Sequence, residues 1–152
     1  MVAAPSFSSI ELQDLDELYA IEIECFGNES FSYLEYRRLL SSHNSIPIKA
    51  VIRKRIIGFV IGVYQMSTRL CTIVTINVKP RFRKKGVGFE LMKSLESGLE
   101  TLNCREVLLQ TRINNTAGLM LFDKLGFSKT RRLLNYYPNG TDGFEMKKIM
   151  SR

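Results

Sequence analysis

"TINVKPRFRKKGVGFELMKSLE", Thr75–Glu96, is the stretch that decides the fold. It continues the run "CTIVTINV" (Cys71–Val78), whose β-branched and apolar residues read as a strand. Pro80 cannot donate to a sheet ladder, so the strand ends before it. Lys79, Arg81, Arg83, Lys84 and Lys85 then crowd positive charge into one short segment, and Gly86 and Gly88 bracket Val87. Beyond them Val87, Leu91, Met92, Leu95, Leu99 and Leu102 recur at helical spacing. The order is strand, basic glycine loop, helix start.

That order is a known physical solution for holding phosphate. The first-turn N–H groups of a helix have no intrahelical acceptor, and the helix dipole adds positive potential there. Glycine lets a pyrophosphate approach the backbone without a Cβ in the way. A P-loop pattern is absent, and a dinucleotide fingerprint fails because Leu91 stands where its third glycine would fall. Taken alone, the glycine pair fits a phosphate loop and a simple turn equally well.

Working outward, "SFSSIEL" reads as a short strand. "DLDELYAIEIECF" reads as a helix with Asp14 and Asp16 suited to its first turn. "GNES" breaks that helix. Ser32, followed three residues on by Glu35, forms a capping-box pattern for a second helix. "IPIKAVIRKRIIGFVIGVYQM" reads as two strands joined near Arg53–Arg55. "EVLLQTRI" is a strand, "NNTAGLMLFDKLGF" a short helix ending at Gly126, and "SKTRRLLNYY" and "FEMKKIM" two strands around the turn-rich "PNGTDG". The order β-α-α-β-β-β-α-β-α-β-β predicts an α/β or α+β sheet covered by helices, as one domain over residues 1–152.

Composition narrows the classes. The chain carries a net charge of +7 with 45% hydrophobic residues, which favours an anionic partner such as nucleic acid, acidic lipid or a polyphosphate cofactor. No apolar run approaches the roughly 18 residues of a membrane span, and "MVAAPSFSS" lacks a secretory pattern. A cytoplasmic protein is expected. Cys25, Cys71 and Cys104 are dispersed and odd in number, which predicts buried thiols rather than disulfides or a metal site. His43, the one histidine, reads as an exposed loop residue.

The glycine segment resembles the first motif of the GCN5-related N-acetyltransferases (the GNAT family), whose loop reads R/Q-x-x-G-x-G/A; here it is Arg83 to Gly88. "NNTAGLMLFDKLGF" is similar to the family's next motif. "NYYPNGTDGFEM" looks like the final hairpin of its RimI-like and NatA-type protein N-terminal acetyltransferases. The resemblance is strong from Cys71 to Met150. It implies a mixed, mostly antiparallel seven-stranded sheet with about four helices and splayed central strands. It also implies acetyl-CoA as co-substrate, with no metal. By this resemblance Ile76, Asn77 and Val78 match strand positions that meet the pantetheine, and Arg83, Lys84, Lys85, Gly86, Val87, Gly88 and Phe89 match the pyrophosphate loop. Asn115 matches a contact to the cofactor arm, and Phe122 and Lys124 lie on the same helix.

The chain departs from the pattern at the proton-transfer positions. Gln110 stands where RimI-like relatives place a glutamate base, Phe122 where they place a tyrosine acid, and Thr72 where some place a tyrosine base. Glutamine cannot take a proton at neutral pH. Glu29, in "FGNESF", is the candidate base and Tyr137 the candidate acid. Phe26, Glu29, Phe31, Tyr136 and Tyr137 are the residues expected to line the acceptor slot. The expected activity is acetyl transfer to a protein N-terminal α-amine, including ribosomal or nascent chains. A lysine, polyamine or small amine is the alternative acceptor, and a catalytically weak acetyl-CoA-binding module the alternative role. Neither membrane nor nucleic acid is expected as a partner.

Overall fold

A computed structural model describes residues 3–150. The chain forms β1 (Ser6–Ser9), α1 (Leu15–Phe26), α2 (Tyr33–Ser41), β2 (Ser45–Ile52), β3 (Arg55–Gln65), β4 (Leu70–Val78), α3 (Val87–Thr101), β5 (Glu106–Arg112), α4 (Thr116–Lys124), β6 (Ser128–Leu133) and β7 (Gly143–Ile149). This is the predicted order, with short 3-10 turns added at Leu12–Asp14, Gly27–Glu29 and Pro80–Phe82. The seven strands pair in the order β1-β2-β3-β4-β5-β7-β6.

The two-residue connection Arg53–Lys54 makes β2 and β3 antiparallel neighbours, whereas β4 and β5 are joined through α3 and pair in parallel. Their ladder covers Leu70–Thr72 against Glu106–Leu108 and stops short of Val78 and Arg112, the ends of the two strands.

By packing, the chain forms two compact units: Met1–Val63 with Val74–Gly98, and Tyr64–Ile73 with Leu99–Arg152. In the first, Leu15, Leu18 and Ile21 recur at helical spacing and bury one face of α1 with Ile56, Phe59 and Ile61 of β3 and Tyr36 of α2. Burying each such side chain contributes about 1.5–3 kcal/mol. Asp16 and Glu17 sit in the first turn of α1, where the helix dipole favours them, and Asp14 closes the 3-10 turn just before. The capping box of α2 is formed: Glu35 N–H donates to Ser32 Oγ at 3.1 Å and Ser32 N–H donates to Glu35 Oε1 at 2.9 Å.

In the second unit β5 pairs with β7 along its whole length, and Val107, Leu109, Phe122, Leu125, Phe127 and Met146 are buried. The apolar stripe after the glycine loop ends one residue early. Leu102 lies past the end of α3 and is 45% exposed, because the chain turns at Asn103, where φ is +60°. The Leu102 carbonyl instead accepts the Tyr64 hydroxyl at 2.9 Å. Cys71 and Cys104 are buried thiols as expected, whereas Cys25 is only half-buried. His43 is exposed beyond α2.

Candidate functional site

The basic glycine loop lies in the first unit. Lys84 and Gly86 both take positive φ, +61° and +85°. A Cβ on Gly86 would meet nothing within 4 Å, so the space beside its backbone is open. Glu90 N–H donates to the Gly86 carbonyl at 3.0 Å, and α3 begins at Val87. The N–H groups of Val87, Gly88 and Phe89 are therefore those of an opening helix turn. Lys84 and Lys85 are exposed, while the Val87 side chain is buried, so Val87 can offer a ligand only its backbone. Lys85 Nζ donates to the Arg81 carbonyl at 3.2 Å. The donor set of this loop suits a pyrophosphate.

Arg83 behaves differently from its loop neighbours. Its Nε donates to the Val78 carbonyl at 2.9 Å and its Nη2 lies 3.4 Å from Cys25 Sγ. The guanidinium thus ties the loop to the end of β4 and the end of α1. Burial pushes the Cys25 thiol up, against the opposing pull of the Arg83 charge.

Ile76 and Val78 are half-buried on β4, and Asn77 between them points into the core with 2% exposure. Its amide nitrogen donates to Glu22 Oε1 at 3.1 Å and lies 3.3 Å from Thr75 Oγ1. The Tyr36 hydroxyl donates to the same Glu22 oxygen at 2.5 Å, and Phe31 N–H donates to Glu22 Oε2 at 2.8 Å. Burial and then the Glu22 carboxylate hold the Tyr36 phenol far above its usual value. Asn77 Oδ1 is buried with no hydrogen-bond partner among the described residues. One buried carboxylate therefore joins α1, α2, β4 and the segment after the Gly27–Glu29 turn. Phe26, Glu29 and Phe31, the expected acceptor residues of this unit, are exposed around that turn.

The second unit carries the remaining candidates. Gln110 is exposed on β5. Asn115 caps α4: its Oδ1 accepts Gly118 N–H at 3.1 Å and its Nδ2 donates to Thr111 Oγ1 at 3.0 Å. A Cβ at Gly118 would stand 2.3 Å from the Asn115 amide nitrogen, so the cap requires glycine there. Phe122 is buried edge-on to Phe127, with centroids 5.9 Å apart. Lys124 is exposed in the last turn of α4.

Tyr136 and Tyr137 pack edge to face at 5.1 Å on the loop between β6 and β7. The Arg112 guanidinium lies 4.2 Å from the Tyr137 ring centroid and donates to Asn139 Oδ1 at 3.0 Å. Burial pushes the Tyr137 phenol above its usual value. Asp142 fastens the loop, accepting from Asn135 N–H and from Arg132 Nε, each at 2.8 Å. Those contacts hold its carboxyl below the usual value, the Asn135 N–H most of all.

The structure thus brings Phe26, Glu29, Phe31, residues 74–78 of β4 and the glycine loop into one unit, and Gln110, Asn115, Phe122, Lys124 and both tyrosines into the other. The side chains of Asn77, Asn115 and Phe122 serve the fold itself, and the backbone of Asn115 and the carbonyl of Phe122 are hydrogen-bonded within the chain as well. Sequence reasoning missed Glu22, Tyr36 and Arg112. For Glu22 a signal was present: a carboxylate four residues after Leu18, on the apolar stripe of α1.

Residues 14–127 match the family model described as the acetyltransferase (GNAT) family, and the chain belongs to that family. It is 27% identical over 143 residues to N-alpha-acetyltransferase 30 of Xenopus laevis, covering 92% of this chain and 51% of the relative. It is 26% identical to N-alpha-acetyltransferase 30 of Schizosaccharomyces pombe, covering 95% of both. The chain therefore spans about half the length of the frog relative and nearly all of the yeast one. Its fold matches the ribosomal-protein-S18-alanine N-acetyltransferase of Escherichia coli with a TM-score of 0.89 at 24% identity, over 97% of this chain and 95% of that one.

Proposed function

We propose that this chain transfers the acetyl group of acetyl-CoA to the N-terminal α-amine of a protein, acting as one catalytic domain over residues 1–152. The observation that carries the reading is the open loop at Gly86, set between β4 and the start of α3 with exposed lysines beside it. Family membership and the names of the relatives support it. Nascent or ribosomal proteins are the proposed acceptors. The reduced cysteines support a cytoplasmic site of action.

When bound, acetyl-CoA supplies a thioester carbonyl for the amine to attack. The N–H groups at the start of α3, with Lys84 and Lys85, would hold its pyrophosphate. About a tenth of an α-amine with pKa near 8 is already neutral at pH 7. Positioning then carries much of the acceleration. In this reading Glu29 would be the base for the amine proton, and Tyr137, whose phenol burial pushes up, would be the acid for the leaving thiolate.

Incubation of peptides of varied N-terminal sequence with acetyl-CoA, followed by mass spectrometry, tests the proposal. N-terminal acetylation is expected, and no acetylation of any terminus would sink it. A second reading, a weakly catalytic acetyl-CoA-binding module, draws support from Gln110 and from the buried, hydroxyl-free Phe122. It predicts normal acetyl-CoA binding with no turnover of any acceptor.

A further inference from the structure

A second basic site lies in the first unit, outside the glycine loop. Arg53 and Arg55, from the hairpin between β2 and β3, come together with Lys79 and Arg81 at the end of β4, around a cavity of about 480 Å³. Ile52, Ile57 and Phe82 supply its apolar wall, and no acidic residue lines it. Of the four cations, Arg55 alone has a carboxylate partner among the described residues, Glu17 at 3.5 Å. Arg53 and Arg81 are exposed. The Arg81 guanidinium lies 5.2 Å from the Phe82 ring centroid, so a guanidinium and an aromatic ring of the lining stand together.

Three residues argue for the ligand class. Arg53, Arg55 and Arg81 carry planar forks that match phosphate oxygens and also stack on flat rings, which lysine does not do. An apolar wall with an aromatic ring is of no use to a bare inorganic anion, but it accommodates a base. A cavity of this size holds one small organic group. We infer that this pocket is a nucleotide-recognising site for a single-stranded nucleic acid, distinct from the loop at Arg83 to Phe89. The strand's phosphates lie on the arginines and Lys79, and one base lies against Phe82 and Arg81. The inference reverses the expectation from sequence, and the fold is the reason: Arg53 and Arg55 are distant in sequence from the basic loop and join Lys79 and Arg81 only through the β2–β3 hairpin.

The test is fluorescence anisotropy with a fluorescein-labelled oligouridylate of twelve nucleotides and the full chain. Two double variants carry the same change in net charge: Arg53→Glu with Lys79→Glu at the pocket, and Lys129→Glu with Arg131→Glu on β6. Circular dichroism melts confirm that both are folded. The pocket variant is expected to weaken binding at least tenfold and to flatten the salt dependence, while the β6 variant changes affinity less than threefold, order-of-magnitude figures for loss of phosphate contacts. Saturating acetyl-CoA is expected to leave RNA binding intact. Equal weakening in both variants would reduce the binding to overall charge and overturn the site. Displacement by acetyl-CoA would assign the pocket to the cofactor instead. Equal competition by polyglutamate would assign it to an acidic protein partner, and absence of measurable RNA binding would end the proposal.

Discussion

The Tyr36 hydroxyl donates to Glu22 Oε1 at 2.5 Å, and both side chains are 1% exposed. The carboxylate also accepts from Asn77 Nδ2 and Phe31 N–H, so it has donors on both oxygens. A buried charge is tolerated only when its lone pairs are satisfied. The arrangement couples the stability of the first unit to the placement of Phe31 and the turn that bears Glu29.

Tyr36→Phe removes the donor and leaves the Glu22 carboxylate undersatisfied. Urea unfolding should show a loss of about 1–3 kcal/mol. In steady-state kinetics the variant should raise the KM for peptide several-fold, with acetyl-CoA affinity unchanged. An unchanged peptide KM alongside the stability loss would confine the network to folding.

Tyr36 also sets an alkaline limit on stability. In the unfolded chain a tyrosine ionises near pH 10, whereas the folded Tyr36 phenol is held protonated well above that. Above pH 10 the unfolded state therefore binds fewer protons than the folded one. The contribution is fully present below pH 10 and is lost as pH rises further, by about 1.4 kcal/mol per pH unit. Denaturant midpoints measured from pH 9 to 11.5 should fall more steeply for the wild type than for Tyr36→Phe. Equal slopes would contradict the assignment.

Gly86→Ala tests the cofactor loop. A Cβ there meets no protein atom within 4 Å, but φ is +85°, which costs an L-residue about 1–2 kcal/mol. The fold should survive, while the methyl group occupies the approach to the backbone. Titration calorimetry should show acetyl-CoA binding weakened about tenfold or more, equivalent to about 1.4 kcal/mol. Unchanged affinity would remove this loop from the site.

Gln110→Glu restores a carboxylate at an exposed position of β5. If the missing base limits turnover, kcat at neutral pH should rise about tenfold or more with acetyl-CoA affinity unchanged. A kcat that stays flat would show that Gln110 is not where the proton leaves. Phe122→Tyr is a poorer restoration, because the ring is buried against Phe127 and its hydroxyl would need a partner there.

Asn115→Ala separates the cap from any ligand role. Loss of the Gly118 and Thr111 hydrogen bonds should cost about 1 kcal/mol in thermal or urea unfolding. Asn115→Ser, a good cap, should recover most of that stability. If Asn115→Ser nevertheless binds acetyl-CoA more weakly than wild type, the amide has a ligand contact beyond the cap.

Local patterns were sufficient for the elements. The period of Val87, Leu91, Met92 and Leu95, the Ser32–Glu35 spacing and the halt at Pro80 each encode their outcome within one turn or one strand, so α3, the α2 cap and the end of β4 were legible in sequence. Leu102 was misread because apolar spacing continued one residue past the end of α3 at Thr101, and a periodic pattern does not register the positive φ of Asn103 that follows. Glu22 stood on a readable stripe, but its partners Phe31, Tyr36 and Asn77 lie up to 55 residues away.

The sequence by itself determined the element order, the basic glycine loop and that Gln110 and Phe122 carry no group able to take or give a proton at neutral pH, because residue identity alone carries that information. Tertiary structure decided which of those side chains are available. It turned Arg83 toward Val78 and Cys25, committed Asn115 to its helix cap, sank Asn77 into the Glu22 cluster, and gathered Arg53 and Arg55 beside Lys79 and Arg81. Hydrogen bonding and charge act over a few ångströms of space, whatever the separation along the chain, and only the folded chain sets those distances.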